Sequence, residues 1–312
     1  MRKSDTIILC IFLVVAACGM RKKPVTGNPE DDLFPRSIVC FSPIPENPVF
    51  GGTGSGTWDR NIRERGFILY EDSLYKMWYS GYNMDLDNKI MLGYATSHDG
   101  INWVRYPGNP IFNKKWTEDM FVFKNEGTYY MYAEGENDVA HLLTSPDGIQ
   151  WQEQGNLLIL SEKGDTIPGP YGTPSVWIED GEWFLFYERN DLGIWLAKTE
   201  NRITWKNVCD EPVLALGPGE FDKGAVAANQ VVSLNGRYYM YYHATSRSDW
   251  QNPSSPVTWT SNVAMSTDLI HWTKYPGNPI IDGDYSSPIL VFDGEKPSLY
   301  TMHPQVCRYI TK

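Results

Sequence analysis

Carboxylates and histidines recur in this chain at one aligned position. Five aromatic-rich segments (YEDSLYKMWYSG, KNEGTYYMYAEG, IEDGEWFLFYER, SLNGRYYMYYHA and DGEKPSLYTMHP) align on Ser80, Glu134, Glu188, His243 and His303, at separations of 54, 54, 55 and 60. Four of these five groups can titrate. Gathered at one site, such groups can do acid–base work: a protonated carboxyl donates, and an ionised one attacks or activates water. Arg189 and Asp191 flank Glu188 and enlarge that cluster. A second set lies upstream. Gly54, Gly56, Trp58 and Asp59 match Gly217, Gly219, Phe221 and Asp222 at a constant offset of 163, which also separates Ser80 from His243. A Gly-rich loop carrying an aromatic ring and a carboxylate suits sugar recognition, and equally suits an Asp that caps its own loop. A third set, fifteen places before the aligned position, reads Arg65, Asp119, Thr173, Ala228 and Pro288, with Glu64 and Glu118 one place earlier in the first two copies.

These positions need a repeated scaffold. A second pattern follows most copies, a small residue and then Trp six places on: Ser97 to Trp103, Ser145 to Trp151, Thr199 to Trp205 and Ser266 to Trp272. After two of them the chain reads YPGNPI, at 106–111 and 275–280. Each unit reads as four short strands parted by turn residues, the first near 66–70, 74–80, 90–96 and 102–106. No window sustains a 3.6-residue apolar period, so helices should be few and a doubly wound α/β fold is excluded. Two β-sandwiches would leave the repeats unexplained. The expectation is all-β: a five-bladed β-propeller of four-stranded antiparallel blades over residues 36–312. The inner strand's start, the second strand's end and the loop entering the blade then share one mouth. The last unit lacks an outer strand, and residues 37–42 should supply it and close the ring, bringing Cys40 near Cys307.

The SxDGxxW segments, the YYMYY-type strands and the NPI joints resemble the five-bladed glycoside hydrolase superfamily, which includes families 43, 32, 68, 117 and 130. The likeness covers about residues 36–312. It implies a central funnel that binds a carbohydrate and hydrolyses it with paired carboxyls. On that reading Asp59 is the base, Glu188 the acid and Asp119 the tuning carboxylate. Trp58, Arg65, Glu134, Arg189, Asp222, His243 and His303 would contact the sugar. The chain departs from the superfamily pattern in its third blade, where Gly172, Thr173 and Pro174 stand in place of a carboxylate. It also lacks a WMNDPNG opening and a first-blade His-Asp-Pro. Two further readings follow. One is a phosphorylase like those of family 130, with Arg65 and Arg189 as the cationic pair. The other is a non-catalytic glycan-binding protein, which the missing third-blade carboxylate favours. No cofactor is expected. Ca²⁺ near His243 or His303, as in some superfamily members, is the one exception the resemblance admits. The Cys and His spacings suggest no zinc site.

The N-terminus reads as an address. Arg2 and Lys3 precede a short apolar run, 7–15, that ends in Val15, Ala16, Ala17 and Cys18. This resembles a bacterial lipobox and implies cleavage before Cys18, which then carries the lipid. Residues 1–17 are the signal peptide, and 18–35 the lipidated Cys and a solvated tether. Gly19 and the basic Arg21, Lys22 and Lys23 suit an exported protein held at the outer membrane. A net charge of -11 argues against nucleic acid as a partner. Cys40, Cys209 and Cys307 remain as isolated thiols, with Cys40–Cys307 the one pair that would tie the chain ends.

Overall fold

The computed structural model describes residues 33–63, 65–252, 254, 256–294 and 296–312. The leader, Cys18 and Glu64 lie outside the described residues. Five small antiparallel sheets form a five-bladed propeller, as the repeats imply. Blade 1 comprises Phe67–Glu71, Leu74–Asn83, Asp87–Ser97 and Val104–Arg105, with Asn61–Ile62 added against its second strand. Blade 2 runs from Glu118–Asn125 to Gln152–Asn156, and blade 4 from Ala225–Leu234 to Thr273–Lys274. Blade 3, from Gly172–Glu179 to Thr204–Asn207, gains Leu158–Leu160 and Leu214–Ala215.

Local chemistry explains the hairpins. Asp72 and Ser73, Glu126 and Gly127, Asp180 and Gly181, and Asn235 and Gly236 all take positive φ, the signature of a two-residue turn matched to strand twist. The second strands are buried on both faces, which is why they are rich in aromatic residues rather than alternating with polar ones: Tyr129 to Gly135 are all buried. The Ser-x-Asp-Gly segments are brackets. Ser97 Oγ accepts the Gly100 amide at 2.9 Å, and Asp99 Oδ1 accepts those of Ile101 and Asn102 at 2.9 and 2.8 Å. Ser145 with Asp147 and Ser266 with Asp268 repeat the arrangement.

The ring closes through both chain ends. Blade 5 consists of Ser286–Val291, Ser298–His303 and Cys307–Thr311, and Phe41–Pro43 completes it by pairing antiparallel with Cys307–Thr311, opposing Phe41 to Thr311. The closing strand is shorter than expected. Residues Arg36–Val39 form one helical turn instead, because Ile38 and Val39 bury their side chains against blades 4 and 5 and the Tyr241 hydroxyl donates to Ile38 O. The tether also ends sooner than expected: Phe34 is buried against the rings of Tyr239 and Tyr275. Cys40, Cys209 and Cys307 are free thiols. The register sets Cys40 beside Lys312, whose amide donates to Cys40 O, so the expected approach of Cys40 to Cys307 does not occur.

Candidate active site

The mouth is built on irregular inner strands. Arg65, Asp119 and Thr173, equivalent residues of three blades, all have left-handed φ, at 56°, 49° and 47°. The ladder skips between Glu118 and Phe121 and between Gly172 and Ser175. Non-glycine residues persist in that conformation only where surrounding contacts impose it, and such strain concentrates at functional sites. At these two bulges Asp119 and Thr173 come to line one cleft.

A narrow cleft of about 90 Å³ results. Asp119, Glu134, Asp138, Glu188 and Asp191 line it, with Arg63 and His243 as the basic side chains. Two adjacent amides fix two of the carboxyls. Thr173 N donates to Glu134 Oε2 at 2.9 Å, and Gly172 N donates to Glu188 Oε1 at 2.8 Å. Asp191 N holds the other Glu188 oxygen at 2.6 Å. Gly172 has no room for a side chain: a Cβ there would lie 2.1 Å from Glu134 Oε2 and 2.7 Å from Glu188 Oε1.

The Glu134–Glu188 pair is buried and like-charged. Burial pushes Glu134 well above the usual carboxylate range, and Asp119, Glu118 and Glu188 push it further. Burial raises Glu188 as well, against the amides of Asp191 and Gly172, which favour its ionised form. Buried carboxyls in such surroundings keep a proton at pH values where an exposed Glu has lost it. Beneath them Arg65 is wholly enclosed, donating to Asp119 O at 2.9 Å and Pro174 O at 2.7 Å. Burial lowers its pKa to about 10, while Asp119, Glu134 and Glu188 hold it up, so it remains the cation under the carboxyls at neutral pH.

The expected site residues divide. Asp119, Glu134, Glu188 and His243 meet in the cleft, and Arg65 forms its floor. Asp59 does not join them. It is buried in an ion pair with Arg105 Nε at 2.8 Å and accepts the hydroxyls of Tyr79 at 3.0 Å and Thr57 at 2.9 Å. Asp222 repeats this beside Lys274, at 2.5 Å. The matching loops therefore share a structural brace, which is the loop-capping alternative. Trp58 stacks on Tyr79 and covers Gly81. Arg189 lies over the Trp195 ring, and His303 lines a neighbouring cleft. Sequence reasoning missed Arg63, Asp138, Trp250, Gln251 and Trp259. The last three had a signal. The connection 246–259 is long where the equivalent connections in blades 1, 2 and 3 are 84–86, 136–138 and 189–192. Trp250 and Trp259 pack edge to face, and Trp259 abuts His243. Among the described residues, no group of His, Cys, Asp and Glu is disposed to hold a metal ion.

No protein-family model matches the chain. It is 24% identical over 266 residues to a 1,2-β-oligomannan phosphorylase of Thermoanaerobacter sp. (strain X514), spanning 76% of this chain and 86% of that protein. A glycosyl hydrolase of Bacteroides ovatus superposes with a TM-score of 0.66 at 14% identity, over 86% of this chain and 92% of the other. A β-1,2-mannobiose phosphorylase of Listeria innocua, solved with β-1,2-mannobiose, superposes at 0.63 and 14%, over 86% and 95%. The resemblance to the five-bladed glycoside hydrolase superfamily therefore holds for the fold.

Proposed function

We propose that the chain is a glycoside hydrolase that cleaves β-mannosidic bonds of short oligosaccharides. The observation that carries this is the buried Glu134–Glu188 pair beside Asp119 in one cleft. Hydrolysis needs a carboxyl that still holds a proton and another that is ionised. The pair is the proton store and delivers to the leaving oxygen. Asp119, in the field of Arg65, takes a proton from water as that water bonds to the anomeric carbon. The bond from that carbon to the leaving oxygen breaks as the pair's proton arrives. This replaces Asp59 as base and enlists Glu134 beside Glu188. His243 and Trp259 offer the sugar a polar group and a ring face. The choice of a mannoside rests on the likeness to the 1,2-β-oligomannan phosphorylase.

Phosphorolysis is the second reading, favoured by that same relative. A phosphate dianion needs clustered cations. The expected pair is not assembled: Arg65 spends its two terminal nitrogens on carbonyls, and Arg189 lies over Trp195. The ionised carboxyls around the cleft, which include Asp119, Asp138 and Asp191, would repel the anion. The test is turnover of a β-mannoside panel by the wild type, Asp119→Asn, Glu134→Gln and Glu188→Gln. Losing acid–base chemistry costs about 10²–10⁴-fold in kcat. Variants that all keep wild-type kcat would overturn the assignment.

A further inference from the structure

Blade 1 carries an added wall beside the mouth. Its second and third strands, Leu74–Asn83 and Asp87–Ser97, run past the aligned position at Ser80. The short strand Asn61–Ile62 pairs onto this overhang, setting Asn61 opposite Tyr82. Across from it, the turn of blade 5 brings His303, Pro304 and Gln305. Between wall and turn lies a cleft of about 490 Å³, much larger than the carboxylate cleft beside it. The two share Arg63, which lines both. Arg63 reaches back to Glu118 at 2.8 Å, so it is fixed at the junction.

The lining fits a neutral polyol. Asn61 and Gln305 offer amides, each able to donate and accept, Arg60 offers donors, and Tyr82 presents a half-buried ring. Arg60 is already matched by Asp85 at 2.5 Å, and His303 Nε2 lies 3.8 Å from Asp284, which makes the cleft a poor trap for an anion. Trp250 and Trp259 line the carboxylate cleft as a packed pair, and Arg63 is the residue that this cleft shares with the larger one, so a chain held by the carboxyls can continue past Arg63.

We propose that the blade 1–blade 5 cleft binds the sugar units beyond the scissile bond, so that the enzyme prefers oligosaccharides of three or more units to a disaccharide. This rests on the hydrolase reading for its chemistry but not for its binding. The experiment has two arms. The first compares kcat/KM for β-1,2-linked mannose di-, tri- and tetrasaccharides in the wild type and in Tyr82→Ala and Gln305→Ala. The tetrasaccharide-to-disaccharide ratio should exceed one in the wild type. Removing a stacking ring should lower that ratio about tenfold, the scale of one buried aromatic contact. The second arm measures binding of the same sugars to Asp119→Asn with and without Tyr82→Ala, by calorimetry. Tyr82-sensitive binding of the longer sugars without any turnover sustains the cleft and sinks the hydrolase. Turnover whose chain-length ratio ignores both substitutions sinks the cleft and keeps the hydrolase. Failure of every sugar to bind overturns both.

Discussion

One methyl group probes the paired carboxyls without deleting either of them. In Gly172→Ala the new Cβ would stand 2.1 Å from Glu134 Oε2 and 2.7 Å from Glu188 Oε1, where contacts under 3.0 Å do not occur. Neither oxygen is loose, because the amides of Thr173 and Gly172 hold them at 2.9 and 2.8 Å. At least one carboxyl must move by about 1 Å. Overpacking of this kind costs about 1–3 kcal/mol. A hydrogen bond to a charged or proton-sharing carboxyl adds about 1.5–3 kcal/mol if it breaks. The total of about 2.5–6 kcal/mol corresponds to a Tm drop of roughly 5–24 °C for a domain of this size. A displacement of about 1 Å at a reacting group lowers the rate about 10²-fold. The assays are a thermal melt and kcat on β-1,2-mannobiose. Gly56→Ala, whose Cβ meets nothing within 4 Å, is the control and should match the wild type in both. A Gly172→Ala protein that melts lower yet keeps wild-type kcat would refute the catalytic role of the pair.

The remaining predictions concern charge, bracing and anchoring. Glu134 has a raised folded-state pKa, so it stabilises the fold at low pH and weighs against it as pH rises through that value. Glu134→Gln should therefore raise Tm at pH 8, with a smaller gain at pH 5, while kcat falls; a gain that does not depend on pH would show that the carboxyl carries no such penalty. Asp59→Asn should lower stability by about 1–3 kcal/mol through the Arg105 and Tyr79 bonds, with kcat preserved; lost kcat at unchanged Tm would restore Asp59 to the chemistry. Cys18→Ser should move the protein from the membrane fraction to the soluble exported fraction, as read by fractionation and blotting, and continued membrane association would count against the lipid anchor.

The propeller was legible because its rules are local. Two-residue turns with Asn, Asp or Gly, and aromatic strands at a spacing near 55, repeat a signal that one copy could not establish. The ring of Glu134, Glu188 and His243 followed from that spacing, since equivalent strand ends must meet at one mouth. Asp59 misled because equivalence between Asp59 and Asp222 is as well explained by a shared brace as by a shared substrate. Only the partners decide, and Arg105 and Lys274 lie 46 and 52 residues away along the chain. The third blade misled in the opposite direction. Gly172 and Thr173 looked like a missing carboxylate, whereas their two amides are what hold the Glu134 and Glu188 carboxyls. Backbone donors carry no residue signature, and the positive φ of Thr173 that presents one is invisible in a string of letters. Arg63 was missed for a similar reason, because its place depends on Glu118 across the blade boundary.

The most direct measurement is product analysis of β-1,2-mannobiose after incubation with the purified protein, with and without inorganic phosphate, by chromatography that separates mannose from mannose 1-phosphate. Hydrolysis predicts two mannose molecules per disaccharide, at a rate indifferent to phosphate and lost in Asp119→Asn. Mannose 1-phosphate appearing only when phosphate is supplied would contradict it, as would mannose release that survives Asp119→Asn and Glu134→Gln together.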